Sequence, residues 1–127
     1  FLKTAVTDID PVPLYEGTPD LVSCCSRTPP TFVGFGYGDE NRSQAGQGVK
    51  RLALIPVRDW NAKEFTVADT AQQVNTCKGD SGGPAFLVQQ TQHKLLGVVS
   101  WGDPKCKEYG VNMRVDGYTR WIRHWIR

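Results

Sequence analysis

The chain has 127 residues, enough for one domain with its own core but not comfortably for two. Its 15 Lys plus Arg against 13 Asp plus Glu leave a formal charge of +2, far below the cationic density that a nucleic-acid grip requires, so no nucleic-acid partner is expected. A 39% hydrophobic fraction, before the 13 glycines are counted, is globular rather than disordered, and no apolar run approaches the roughly 20 residues of a membrane-spanning helix, so no membrane partner is expected either.

Residues 1–30 read as a strap. Pro11, Pro13, Pro19, Pro29 and Pro30, with Gly17 among them, suit a segment that crosses a surface without regular structure. The strap ends near two adjacent cysteines, Cys24 and Cys25. Neighbouring Cα atoms are only about 3.8 Å apart, below the usual disulfide separation, so one or both are expected to pair elsewhere, with another chain among the options. The remaining cysteines are Cys77 and Cys106. None of the four forms the close pairs that build a zinc site, so no metal is expected, and an even count in a loop-rich chain fits an oxidising compartment.

Short runs rich in β-branched and aromatic residues follow the strap: Thr31 to Tyr37, Val49 to Val57, Phe65 to Ala68, Ala85 to Gln89, Leu95 to Trp101 and Val111 to Val115. Clusters of Gly, Asn, Asp and Lys separate them, as turns between antiparallel strands do. Six such strands predict a small barrel or sandwich. Only at the C-terminus does a helical period appear, with Tyr118, Trp121, Ile122, Trp125 and Ile126 on one face. Asp116 is the expected N-cap, and Arg120, Arg123, His124 and Arg127 suit the end of the helix dipole. The aromatic face is expected to dock on the barrel. The segment Asn41-Arg42-Ser43 forms a glycosylation sequon on an expected surface loop.

The segment Cys77-Lys78-Gly79-Asp80-Ser81-Gly82-Gly83-Pro84 carries the chemistry. A nucleophilic serine must sit at the crest of a tight turn, with neighbouring backbone N–H groups converging on the oxygen that becomes charged in acyl transfer. Side chains at Gly79 or Gly82 would crowd that approach. Gly79-Asp80-Ser81-Gly82-Gly83-Pro84, preceded by Cys77, resembles the active-serine loop of the chymotrypsin-like (trypsin-like) serine proteases. Val99-Ser100-Trp101-Gly102 resembles the strand on which those enzymes hold an extended substrate. Cys106 with Tyr109-Gly110-Val111 resembles the segment closing the specificity pocket, and Phe32-Val33-Gly34-Phe35-Gly36 and the Tyr118 to Ile126 helix resemble the start and end of the family's second barrel.

The resemblance implies an all-β fold: an antiparallel six-stranded Greek-key barrel over residues 31–115, preceded by the strap at 1–30 and closed by one C-terminal α-helix at 116–127. It also implies roles. Ser81 is the nucleophile, the N–H groups of Gly79 and Ser81 form the oxyanion hole, and Asp80 receives the α-ammonium created by zymogen cleavage. Ser100, Trp101 and Gly102 bind the substrate main chain as an added strand. Asn75 lies at the base of the primary pocket, Thr76 is a further substrate-binding residue, Lys78 stands at the pocket's rim, and Gly102 and Gly110 leave its walls open. Cys77 and Cys106 form a disulfide. Neutral Asn75 stands where trypsin-like members carry an aspartate. An uncharged P1 residue (the one preceding the cleaved bond), large and apolar, is therefore expected, with Lys78 favouring acidic residues nearby. Tyr109 matches members that bind sodium, but the segment from Cys106 to Gly110 is shorter than the family's loop, and no cofactor is expected.

The family's histidine base and aspartate precede the serine, and here neither is found. His93 and His124 both follow Ser81. His93 is expected in an exposed hairpin loop and His124 in the closing helix, so neither receives a role. Asp8 and Asp10 resemble residues that follow the family's aspartate strand and are rejected. With Phe1 in place of a methionine, the expectation is the C-terminal half of a secreted, extracellular two-chain protease (periplasmic if bacterial), inert alone. Its expected partners are an N-terminal half that carries the histidine and aspartate, a peptide or protein substrate, and protease inhibitors. The alternative is a non-catalytic homologue that binds proteins through the cleft. Two other readings fail. A nucleophile elbow must lead into a helix, whereas Gly83 to Val88 reads as a strand. In a phosphate loop at Gly34, Gly36 and Gly38, the last glycine is misplaced and Asp39 and Glu40 would repel the ligand.

Overall fold

The computed structural model describes residues 3–17, 25, 28–36, 48–89 and 91–126. Seven strands form one antiparallel sheet: β1 (Thr31–Gly34), β2 (Arg51–Leu54), β3 (Val57–Trp60), β4 (Glu64–Val67), β5 (Pro84–Gln89), β6 (Gln92–Gly102) and β7 (Gly110–Arg114). Their order is β2-β1-β5-β6-β7-β4-β3. The edge strands β2 and β3 are consecutive in the chain and separated only by Ile55 and Pro56. A sheet whose two edges are joined by so short a link must curl on itself, which produces the barrel-like wrap.

Among the described residues the strand count is therefore seven rather than six, and the extra strand arises within the expected Val49 to Val57 run. Pro56 has no N–H to give to a ladder, and the N–H of Ile55 leaves the strand direction to bond the Pro30 carbonyl at 3.2 Å. The Pro56 carbonyl accepts from Ala68 at 3.1 Å, on the other side of the sheet. One apolar run thus turns a corner and serves both edges.

Alternation sets the inner face. In β4 Phe65 and Val67 are buried, and in β5 Ala85 and Leu87 are, while their neighbours are half-buried. Phe65, Ile55, Leu96 and Val67 are the centre of the core, each removing from water an amount of apolar surface worth about 1.5–3 kcal/mol. Gly97 of β6 is a glycine for a local reason: a Cβ there would lie 2.5 Å from the Phe65 ring and 2.7 Å from the Met113 carbonyl.

Within the strap, Leu14 bridges Leu95 of β6 in parallel. Tyr15 donates its N–H to the Leu95 carbonyl (2.9 Å), Leu95 donates to Pro13 (2.8 Å), and Tyr15 is only 1% exposed. Cys25 is buried in the core cluster. Cys24, Pro19, the Asn41 sequon, Tyr37, Gly38, Asp39, Glu40 and Arg127 lie outside the described residues.

Three local expectations are corrected. His93 is not in a loop: it is a residue of β6 opposite Val88, exposed, with its ring edge-on to Phe86. Asp116 is not a helix cap. It opens a 3₁₀ turn (Asp116–Tyr118), and its carboxylate is taken by the guanidinium of Arg114, which also donates to the Asn61 carbonyl at 2.7 Å and lies 4.8 Å from the Trp60 ring. The helix α1 (Thr119–Trp125) follows, capped by no side chain, with Thr119 Oγ1 donating back to Asp116 O at 3.1 Å. Finally, α1 buries none of its residues: Trp121 is 65% exposed, Trp125 51% and the following Ile126 68%. The barrel interior is already filled by Phe65, Leu96 and their neighbours, and Arg123 ties α1 to the strap through Glu16. No helix among the described residues is long and apolar enough to cross a membrane.

Candidate active site

Residues 75–83 connect a turn after β4 to the start of β5, and the backbone shapes the segment. Gly79 has φ +94° and Gly82 φ +82°, conformations that L side chains rarely adopt. At Gly79 a Cβ would also lie 2.9 Å from the Gly36 Cα, so two backbones approach closely where only glycines permit it. The turn is pinned at both ends. Asp80 N–H donates to the Cys77 carbonyl (3.0 Å) and Gly83 N–H to the Asp80 carbonyl (2.9 Å). Gly82 N–H reaches the Val99 carbonyl and Val99 N–H the Gly83 carbonyl, both at 2.9 Å, stitching the loop to β6.

Ser81 is exposed at the crest, and its hydroxyl donates to the Ser100 carbonyl at a long 3.4 Å. The N–H groups of Gly79 and Ser81 donate to no acceptor among the described residues. Ser100 reaches the serine because β6 carries an irregularity there: Val99 pairs with Asn112 and Trp101 with Val111, leaving Ser100 as the extra residue. Bulges of this kind re-aim groups beside binding sites.

Asp80 points away from the serine. Its Oδ1 accepts from Gly36 N–H (2.8 Å) and its Oδ2 from Cys77 N–H (2.9 Å). A Cβ on Gly34 would collide with this carboxylate at 2.0 Å, which explains the glycine at the end of β1. Cys77 is disulfide-bonded to Cys106, with Cα atoms 5.1 Å apart.

Two cavities flank the loop. One of about 140 Å³ lies beside Ser81, bounded by Thr76, Lys78, Ser100, Trp101 and Gly102. The other, about 440 Å³, lies behind it, bounded by Gly36, Leu52, Val74, Asn75 and Asp80. Asn75 lines the rear cavity and not the one beside the serine. Its Oδ1 accepts from Thr76 N–H at 2.8 Å, while its buried Nδ2 has no partner among the described residues. Gly110 packs directly on this pair: a Cβ there would come within 2.5 Å of Thr76 Oγ1 and 2.7 Å of Asn75 Oδ1.

The structure thus brings Ser81, Thr76, Lys78, Ser100, Trp101 and Gly102 around one cavity, with Gly79 two residues before the serine in the same turn and Asn75, Asp80 and Gly110 immediately behind. Neither histidine joins them. His93 is seven positions from Ser100 along β6, roughly 23 Å for an extended strand, and His124 lies on α1 against Trp125. No group of three or more His, Cys, Asp or Glu suited to a metal ion occurs among the described residues.

Two residues were not singled out from the sequence. Asp103 accepts backbone N–H groups from Lys105, Lys107 and Glu108. The Glu108 N–H first, then those of Lys105 and Lys107 and the Lys105 charge, hold its carboxyl below the ordinary carboxylate value. The Asp103-Pro104 pair, a turn initiator, was the available signal. Asn112 of β7 is fully buried, with both side-chain polar atoms unpaired among the described residues; nothing in its local sequence marks it.

Known proteins share long stretches of this sequence. The sequence model of the Trypsin family matches residues 21–122. The chain is 32% identical over 111 residues to the hepatocyte growth factor activator serine protease of Homo sapiens, covering 76% of this chain and 17% of that protein. It is 48% identical over 56 residues to the thrombin-like enzyme cerastocytin of Cerastes cerastes (42% of this chain, 20% of that one). With complement C1s subcomponent of Bos taurus it shares 47% identity over 55 residues, 39% of this chain and 8% of the relative. The matched stretches span a fifth or less of these relatives' lengths.

Proposed function

The chain belongs to the trypsin family of serine proteases, and from that premise we propose that it is the serine-bearing C-terminal half of a secreted endopeptidase. It hydrolyses peptide bonds through an acyl-enzyme once an N-terminal half supplies the histidine and aspartate. The observation that carries this reading is the exposed Ser81 hydroxyl beside two N–H groups, of Gly79 and Ser81, that no described carbonyl uses. Such donors stabilise the oxygen of a tetrahedral intermediate, each by about 3–4 kcal/mol when removal is measured.

Ser81 attacks the scissile carbonyl, its proton passing to the partner's histidine. Ser100, Trp101 and Gly102 pair with the substrate main chain as an added strand, at the end of β6 where the bulge frees Ser100. Asp80 receives the α-ammonium formed on zymogen cleavage. Its two oxygens each accept one backbone N–H, leaving lone pairs for a cation, and it borders the rear cavity that such a terminus would enter. Asn75 lies behind the Ser81 cavity, next to Thr76, which lines both cavities, and carries no charge; a desolvated Lys or Arg reaching that far would meet no counter-ion, which favours an uncharged P1 residue. The disulfide supports an oxidising, extracellular location. The apolar surface of Trp121, Trp125 and Ile126, and of Leu52 and Leu54 on β2, supports a partner half, because monomers rarely leave so much large apolar surface bare.

The test is covalent labelling. The chain assembled with its N-terminal half is expected to be modified at Ser81 by a fluorophosphonate, and the isolated chain at least about 10⁴-fold more slowly, as for loss of a triad member. An assembly that binds peptides yet never labels at Ser81 would instead be the non-catalytic homologue.

A further inference from the structure

We propose that Asp103 is a positioning residue for substrate binding, holding the wall of the Ser81 cavity in register with the serine loop. The inference rests on the reading of the chain as a protease and goes further, assigning a role to a residue that touches neither Ser81 nor its oxyanion donors.

The hairpin loop between β6 and β7 runs from Asp103 to Tyr109, and Asp103 organises nearly all of it. Its Oδ1 accepts the N–H of Lys105 (2.9 Å), and its Oδ2 accepts those of Glu108 (2.9 Å) and Lys107. Its carbonyl accepts the N–H of Cys106 (3.0 Å), and its own N–H donates to the Tyr109 carbonyl (3.0 Å). Pro104 has no N–H. Every backbone donor from residue 105 to 108 therefore ends on Asp103.

What this arrangement fixes is functional in location. Cys106 is held at φ +60°, a conformation that a non-glycine residue adopts only when its surroundings impose it. Through its disulfide Cys106 is tied to Cys77, whose N–H donates to Asp80 beside the serine. A continuous path thus runs from Asp103 through Cys106 and Cys77 to the base of the Ser81 turn. On the other side, Tyr109 presents its ring edge-on to Trp101 with centroids 5.9 Å apart, and the next residue, Gly110, rests on Asn75 and Thr76. Asp103, Pro104 and Cys106 themselves line the cavity. The core cluster contains no residue of the loop. Loss of the carboxylate should therefore displace the cavity wall while the barrel stays folded.

An asparagine at 103 keeps one acceptor oxygen but turns the other into an NH₂ that faces N–H donors. The experiment uses the complete protease, chain plus N-terminal half, as wild type, Asp103→Asn and Asp103→Ala. Three quantities are read: kcat and KM on an extended peptide amide, Kd for the corresponding product peptide acid by calorimetry, and the labelling rate of Ser81 by diisopropyl fluorophosphate, which is too small to need the wall. The expected result is a rise of about tenfold in KM and in Kd, with kcat and the labelling rate changed less than about threefold. Unchanged KM and Kd would overturn the proposal. So would an equal fall in peptide turnover and labelling accompanied by a lower thermal midpoint, which would mark a purely structural role. If the wild-type assembly fails to label at all, the protease reading fails, while the product-peptide Kd still decides the role of Asp103.

Discussion

Replacing Gly79 with alanine tests the oxyanion assignment most directly, because the structure separates its two consequences. At φ +94° an L residue is strained by about 1–2 kcal/mol, and the added methyl would meet the Gly36 Cα at 2.9 Å, backbone against backbone, with no flexible side chain to yield. Relief requires the residue 79 backbone to rotate, which swings its N–H away from Ser81. Losing one such donor lowers kcat by roughly 10²–10³. Gly82 provides the control. Its φ of +82° carries the same kind of strain, but open space surrounds its would-be Cβ, and its N–H is committed to Val99 rather than to the reacting oxygen. Gly79→Ala and Gly82→Ala are both expected to lower stability in urea by about 1–2 kcal/mol, somewhat more for Gly79→Ala because of the contact. In the assembled enzyme, kcat should fall by roughly two to three orders of magnitude for Gly79→Ala and far less for Gly82→Ala. Equal kcat losses in the two variants would mean that loop strain, not a lost donor, governs the rate. Wild-type kcat in Gly79→Ala would remove Gly79 from the oxyanion hole.

Three further outcomes are expected. Asn112→Leu should raise the stability measured in urea, by about 1–3 kcal/mol, because the fully buried amide has no partner among the described residues and leucine fills a similar volume; a loss of comparable size would show that the amide is satisfied. Asp116→Ala should destabilise by about 3–5 kcal/mol, since it strands the buried guanidinium of Arg114, whose pKa is raised chiefly by its hydrogen bond to Asp116; adding Arg114→Met should recover part of the loss, and no recovery would argue against a stranded charge. Asp103 gives an acid limit: its folded pKa lies below the ordinary 3.8, so its contribution is complete above that value and disappears as the pH falls through the lower folded one. The protection of the Lys105, Lys107 and Glu108 amides against exchange, taken relative to an unstructured peptide at the same pH, should fall in that window in wild type and be already low at neutral pH in Asp103→Asn.

The serine loop was legible in the sequence because its requirements are backbone requirements. Gly79 and Gly82 occupy left-handed conformations, and Gly34, Gly36 and Gly110 lie where Asp80, Asn75 or another backbone leaves no room for a Cβ. A glycine of this kind shows itself in sequence, since the forbidden atom is its own. The strands were legible for a related reason: β4 and β5 alternate with the period of the pleat, and one face of each is buried. Their joints were not. Whether Val49 to Val57 makes one strand or two depends on where the Ile55 N–H goes, and its acceptor, Pro30, is 25 positions away in the chain.

The helix failed for the opposite reason. Tyr118, Trp121, Ile122, Trp125 and Ile126 do form an apolar stripe, but periodicity specifies a face and not what it meets, and within the described residues that face meets solvent. Asp116, apparently placed to cap the helix, is claimed instead by Arg114, two residues earlier on β7, because a guanidinium that is 7% exposed requires a carboxylate more than an exposed helix end does. Such competition between partners is absent from a linear sequence. It also decides Asp103, which reads locally as an ordinary Asp-Pro turn. Only the folded loop shows the N–H groups of residues 105 to 108 converging on that one residue. The machinery around Ser81 therefore divides into two kinds: bare backbone that creates the donors, which glycines announce, and two aspartates that hold the ends of the Cys77–Cys106 bridge, Asp80 through its carboxylate on the Cys77 N–H and Asp103 through its main-chain carbonyl on that of Cys106, hydrogen bonds that only geometry reveals.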